Sequence, residues 1–506
     1  AAKTERGGIA REFSRRSALF LLHRRGTALV KGHISIKRAI MGCLGALLCI
    51  LFCVVLPSPA ALQAAAESVG STGRSAMMVL GTVFLAICWW AGAVISDWMV
   101  ALLLQCLWVI MKITDVSGAF SSYTNSTVWL FVGVFCITTA VNRTGLIRRI
   151  ALKLMQHFPP TFLGQVLALL TVGLICSPLI PSATAKMILG ATMACSVADA
   201  MEYPAEASGR YGLFLAAVIG FGFLCPAFKT AGTNGYAMLA ILPQELQQRA
   251  TFLYWLACML PWLVIVAGGM LLFILTACRP SEKRQISGAY IRQKLDEMGK
   301  PSKDEKKIGV ILGVCLLLWI FENILHIDAT TVSLCGALAC FLLGVLEPNE
   351  LSTSVPWPLI VFLGGALNIG ILLKQVGINK WLQELLLPIF SIVDNTWLLI
   401  LVVAVSVMLL RLLLISLMAT ITLTMTVLLP VFQAVGICPL GIGFVIYATM
   451  LCWFTPYQNL VFLPAFNCMQ NTISHRGTIK ACFVYEMLSL TAFLISVPYW
   501  KWLGCI

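Results

Sequence analysis

The chain has 506 residues, 59% of them apolar and only 11% charged, where a soluble domain usually carries about 25% charged residues. Runs of roughly 20 apolar residues, each long enough to cross a ~30 Å hydrocarbon core, recur along its length and exclude a soluble globular fold. The formal charge of +14 is carried locally, by ten Lys or Arg before residue 39 and nine between Cys278 and Lys307. Both clusters flank apolar runs, which favours cytoplasmic loops over nucleic-acid binding.

In chain order, 1–39 is an Arg- and Ser-rich basic extension, expected to be disordered. It reads as sequence upstream of a chain starting at Met41, with a targeting presequence as the alternative. A first span and loop follow at 40–73, the span itself at 40–57. The unit 74–277 holds spans at 75–92, 94–113 and 126–142, then an amphipathic stretch from Thr144 to His157. An apolar pair of segments at 160–200 and spans at 210–245 and 251–277 complete it. A cytoplasmic linker, 278–307, leads to 308–506, with spans at 308–326, 329–346 and 356–375 and an amphipathic stretch at 377–391. An apolar pair at 394–433 and spans at 440–464 and 480–503 close the chain.

The second unit repeats the first. Gly133 stands 12 residues before Gly145, and Gly365 stands 12 before Gly377. Polar clusters follow at 181–185 and 419–423, then a proline inside a long span at Pro226 and Pro456, with offsets of 232, 238 and 230 residues. Arg143, Arg148, Arg149 and Lys153 mark the first amphipathic stretch as cytoplasmic, whereas its counterpart carries only Lys380. The two repeats are therefore expected to be inverted. Inverted repeats with discontinuous helices build secondary transporters whose substrate site lies near the bilayer midplane.

Four polar interruptions fall within apolar segments: Ser182 with Thr184, the stretch 225–235, Thr420 with Thr422, and Thr455 with Pro456. Broken backbone at this depth needs protein or a water-filled cavity to satisfy it, and N–H groups at half-helix starts favour an anion. Any one hydroxyl is explained as well by a bond back to its own helix. Four clusters at matching places are not. Lys186 and Lys229 lie beside or inside these clusters, where a cation costs at least ~2.5–3.5 kcal/mol and reads as functional. Arg411 stands open between a structural and a functional role. None of the clusters holds Asp or Glu, and Glu322, His326 and Asp328 sit at a span end, where solvent is the simpler explanation. The sequence has no phosphate-binding loop, no Cys-x-x-Cys pair and five scattered histidines, so neither ATP, a metal nor an enzymatic constellation is expected.

At these residues the chain resembles the divalent-anion:sodium symporter family of di- and tricarboxylate transporters. Ser182-Ala183-Thr184-Ala185 and Thr420-Ile421-Thr422 stand where the family carries a Ser-Asn-Thr motif at a hairpin tip, and Leu428-Leu429-Pro430 follow the second. Thr230-Ala231-Gly232-Thr233-Asn234 and Thr455-Pro456 resemble the family's broken-helix loops. The resemblance runs from Ser75 to Trp502. It implies an all-α polytopic membrane protein of about 11 transmembrane helices in two inverted repeats, each with a re-entrant hairpin and a broken helix. It further implies secondary active, elevator-type transport of small anions, most of all di- or tricarboxylates, by a homodimer in a bacterial inner (plasma) membrane. Ser182, Thr184, Lys186, Lys229, Thr230, Thr233, Asn234, Thr420, Thr422, Thr455 and Pro456 would bind substrate, with sodium near Ser182, Gly232, Thr420 and Thr455.

The chain departs from the pattern at both motif asparagines, which are Ala183 and Ile421 here. Neither side chain can donate to a carboxylate or accept toward a cation. Lys186 and Lys229 are therefore expected to supply the charge that sodium supplies elsewhere, leaving exchange, proton coupling or uniport. The alternatives are another permease of the wider ion-transporter superfamily, of Na+/H+ or arsenite type, and a carrier-like anion sensor.

Overall fold

The computed structural model describes residues 36–180, 182–287, 289–391, 395–455, 458–469 and 472–506, the side chains of 323 and 386–391 apart. Pro456 and all but the last residues of the basic extension lie outside the described residues. Among the described residues the regular structure is helical, and ten helices are long and apolar enough to cross a membrane, against about 11 spans expected.

The first half of the chain begins with α1 (Ile36–Ile50) and α2 (Ala60–Glu67), followed by α3 (Gly73–Gly92), α4 (Asp97–Ile110) and α5 (Ser126–Thr144). The amphipathic α6 (Leu146–Met155) buries Ile147, Ala151, Leu152 and Met155 along one face. Next come α7 (Phe162–Cys176), α8 (Ala183–Ala200), α9 (Ser208–Val218), α10 (Thr233–Ile241) and α11 (Phe252–Ala277). The second half holds α12 (Lys303–Ile320), α13 (Ala329–Leu342), α14 (Trp357–Gln375) and α15 (Ile378–Ser391). It ends with α16 (Thr396–Leu413), α17 (Leu417–Ala434), α18 (Pro439–Thr449), α19 (Phe462–Asn467) and α20 (His475–Leu503).

Three expected spans are shorter than their apolar runs. The runs at 94–113 and 329–346 yield helices of 14 residues each, and 440–464 divides into α18 and α19. Asp97 and Asp328 explain two of these starts. Asp328 caps α13 by accepting from Thr330 N–H at 2.7 Å, and Asp97 occupies the first turn of α4, where an acid suits the helix dipole. Large apolar side chains such as Leu272 and Leu342 remain 64% and 85% exposed, as expected of faces turned to lipid.

The turn between span and amphipathic helix is built alike in both halves. Gly145 and Gly377 take φ of +76° and +79°, the left-handed region that favours glycine. At Gly377 a β-carbon would also lie 2.5 Å from the Ala65 carbonyl. The two broken helices meet in the core, where the Phe223 ring stacks on Trp453 at 3.9 Å and Tyr485 closes on both at 5.5 and 5.4 Å.

The linker is pinned to α6 by a buried ion pair. Arg149 Nε donates to Glu305 Oε2 at 2.6 Å, and its Nη1 to the Gly299 carbonyl at 2.7 Å. Arg149→Met strands that carboxylate and should cost about 3–5 kcal/mol, read as a lowered unfolding midpoint in detergent. The Arg149→Met/Glu305→Gln double variant should recover most of the loss.

Candidate functional site

The first hairpin, α7 and α8, turns where Pro178 withholds an N–H and stops α7. Ser182 starts α8, its Oγ accepting from Ala185 N–H at 3.3 Å. One turn on, Lys186 is fully buried. Its Nζ donates to the Ser177 carbonyl at 3.3 Å, to Ser177 Oγ at 2.8 Å and to the Ala231 carbonyl. An ammonium has three protons to place, and three acceptors surround this one. Thr230 Oγ1 adds a second tie, donating to the Pro178 carbonyl at 2.9 Å. The tip is thereby joined to the loop of the first broken helix, which leaves α9 through a π-helical turn, Ile219–Phe223, and a 3-10 turn, Cys225–Ala227.

The second hairpin, α16 and α17, turns at 414–416, and Ser416 Oγ accepts from Ala419 N–H at 3.2 Å. Arg411, in the last turn of α16, is 1% exposed. Its Nη1 donates to the carbonyls of Leu414 and, at 2.8 Å, Ile415, on the tip itself. Its Nε donates to the Met450 carbonyl at 2.9 Å and its Nη2 to the Gln458 carbonyl, both in the second broken loop. Each half of the chain thus carries a buried cation that ties a hairpin tip to a broken-helix loop through carbonyl oxygens. The cation comes from opposite arms: the arm after the tip in the first half, the arm before it in the second.

Of the other expected residues, Ser182, Thr184, Thr233 and Thr455 are half-buried, and Asn234, Gly232 and Thr422 are buried. The Thr422 hydroxyl has no partner among the described residues. Thr420 stands one turn inside α17, its Oγ1 bonded back to the Ser416 carbonyl at 2.8 Å, so Ser416 is the hydroxyl at the second tip. The offset from Ser182 to Ser416 is 234 residues, nearer to 232 and 230 than the 238 of the sequence pairing. Ser416 carries the start signal of a helix, a hydroxyl residue just before an apolar run, and could have been found that way.

Glu322 corrects the solvent reading given to it from the sequence. Its side chain is 10% exposed and pairs with Lys229, Nζ to Oε1 at 3.0 Å, while the same oxygen accepts from Phe252 N–H at 2.9 Å. Lys229 is thereby neutralised, and it bridges the first broken loop to the α12–α13 connection. The pair lines a cavity of about 700 Å³ together with Tyr236, His326 and Asp328. No other residue expected from the sequence lines that cavity. Lys229→Met should destabilise more than the Lys229→Met/Glu322→Gln double variant, since only the single change strands a buried carboxylate. Thermal unfolding of the singles and the double measures this, and additive losses would contradict it.

Comparison with known proteins agrees with this architecture. The model of the sodium:sulfate symporter transmembrane region matches residues 37–506. A transporter of Haemophilus influenzae is 27% identical over 289 residues, 55% of this chain and 60% of its own length. Dicarboxylate transporter 1 of the Spinacia oleracea chloroplast is 25% identical over 57% of this chain and 52% of its own length. The sodium-dependent dicarboxylate transporter SdcS of Staphylococcus aureus is 24% identical over 58% and 62%. The matched regions thus span between half and two thirds of these relatives. The solved YdaH transporter of Alcanivorax borkumensis has the same overall fold, with a TM-score of 0.52 at 13% identity over 78% of this chain and 89% of that one. The family and these relatives are transporters rather than enzymes, and a match over nearly the whole chain makes this multi-pass membrane protein a member of the divalent-anion:sodium symporter family.

Proposed function

We propose that this protein carries a small multivalent anion, a di- or tricarboxylate in preference to sulfate, by a secondary transport cycle that needs no sodium. The observation that carries this reading is the pair of buried cations. Converging carbonyl oxygens from a hairpin tip and a broken loop are the natural cradle of a small metal cation in such carriers. Here the cradle at the first tip is filled by the Lys186 ammonium, and that at the second by the Arg411 guanidinium. A tethered cation supplies the positive field that an anion needs without an ion that must bind and leave. The preference for carboxylates is supported by the names of the plant and staphylococcal relatives.

The half-helix starts at Ser182 and Thr233, with the hydroxyls of Thr184, Thr422 and Thr455, offer the hydrogen-bond donors a carboxylate pair requires. Lys229, already paired with Glu322, contributes a bridge between the broken loop and its surroundings rather than free charge. The moving part in this reading is the two hairpins with the broken helices, travelling in an elevator manner between inverted repeats. A homodimer in a bacterial plasma membrane is the setting.

Thermal-shift measurements on the purified protein against succinate, citrate, 2-oxoglutarate, tartrate and sulfate, in sodium-free buffer, test the reading. A ligand at 100 times its Kd stabilises by about 2.7 kcal/mol, so at least one carboxylate should raise the midpoint. A panel that leaves the midpoint unmoved without sodium, and raises it once sodium is added, overturns the sodium-free reading. A panel that leaves it unmoved under both conditions overturns the anion assignment.

A further inference from the structure

One buried acid stands outside every cluster described so far. Glu486 lies eleven residues, roughly 16 Å, into the 29-residue helix α20 and is 1% exposed. Neither of its carboxyl oxygens has a hydrogen-bond partner among the described residues. An ionised carboxylate held dry with no donor costs far more than a neutral one. A carboxylate at this place stays ionised only where an unopposed positive field offsets that cost.

Its surroundings connect it to both buried cations. On its own helix it stands one turn after Cys482, whose Sγ accepts from Trp453 N–H of the second broken loop at 3.1 Å, and beside Tyr485, whose hydroxyl donates to the Phe223 carbonyl of the first broken segment at 3.1 Å. Cys452 of the second loop accepts from Gln458 Nε2 at 3.3 Å, and the Gln458 carbonyl accepts from Arg411 of α16. In the first broken segment Cys225 stands six residues before Ala231, whose carbonyl accepts from Lys186 of α8. Tyr447 of α18 touches the same Cys225, 3.5 Å from OH to Sγ. From α11 the Trp262 ring meets Tyr485 edge-on at 6.5 Å, and its Nε1 has no partner among the described residues. The acid thus stands next to a side chain bonded to the first broken segment and one turn from a side chain bonded to the second.

We infer that Glu486 is the proton-binding site that couples anion transport to a proton gradient. The inference rests on the transport reading above and names its coupling ion. The charges balance as follows. With a dianion bound, Lys186 and Arg411 are neutralised, and Glu486 has no positive field to hold it ionised, so it takes a proton. With the site empty, the two cations are unopposed, and the ionised carboxylate of Glu486 offsets one of them. Proton and anion therefore load together and leave together, one proton per turnover, with no covalent step.

The test uses the full-length protein in proteoliposomes with the membrane potential clamped and sodium absent. The probe is whichever panel anion exchanges fastest in the wild type, with labelled anion counted and lumenal pH followed by a trapped dye. A gradient of one pH unit should drive about tenfold accumulation at one proton per anion, with acidification of the lumen as anion enters. Glu486→Gln keeps the shape of the protonated acid, so it should lose both accumulation and acidification while anion-for-anion exchange persists. A merely structural role would lower exchange and accumulation together. Glu486→Asp should retain proton-driven accumulation. Equal pH-driven accumulation in wild type and Glu486→Gln overturns the proposal, as does a wild type that exchanges anion without responding to pH. A wild type that exchanges none of the anions overturns the transport reading itself.

Discussion

Replacing Lys186 with methionine should abolish transport, by on the order of 100-fold or more, equivalent to ~2.7 kcal/mol. The methylene stem and its packing survive the change. The ammonium does not, and the Ser177 carbonyl, Ser177 Oγ and Ala231 carbonyl lose their donor. Each orphaned buried acceptor costs roughly 1–3 kcal/mol, so the hairpin tip and the broken loop part. The first hairpin also loses its positive charge, and Lys229 cannot replace it because it is committed to Glu322. Uptake of labelled anion by proteoliposomes measures the loss. Lys186→Ala separates charge from packing: it vacates the carbonyl cradle, and added sodium, but not choline, should restore part of the uptake. Uptake by Lys186→Met within a few fold of wild type would contradict the role given to this residue.

Arg411→Met should be the more destabilising of the two changes. Four carbonyls, of Leu414, Ile415, Met450 and Gln458, converge on one guanidinium. At roughly 1–3 kcal/mol for each acceptor left dry, the second hairpin separates from its broken loop, and the midpoint of thermal unfolding should fall well below that of Lys186→Met. Arg411→Lys should rescue little, since one ammonium cannot span acceptors that a planar fork reaches at three nitrogens. Rescue by lysine to wild-type stability would show that charge alone suffices there.

Much of the architecture is legible in the sequence because it rests on local rules. Gly145 and Gly377 mark matching places in the two halves, Ser182 a polar interruption, and Lys186 an expense that demands a purpose. What escapes depends on distance along the chain. Arg411 reads as ambiguous because its partners Met450 and Gln458 lie 39 and 47 residues away. Glu322 looks like a solvated span end because its partner Lys229 lies 93 residues upstream. Thr420 stands in for Ser416 because hydroxyls are frequent in membrane helices, and the helix-start signal at Ser416 competes with several of them nearby. Glu486 stays hidden for the opposite reason. It belongs to a 29-residue helix, where no interruption of the local sequence sets it apart.

Sodium dependence tests the central claim most directly. Uptake of the anion that gives the largest thermal shift should be measured in proteoliposomes with sodium fully replaced by choline, at fixed pH and clamped potential. If Lys186 and Arg411 occupy the cation cradles, the initial rate in choline equals that in sodium. A rate that collapses without sodium and rises steeply with its concentration would contradict the account.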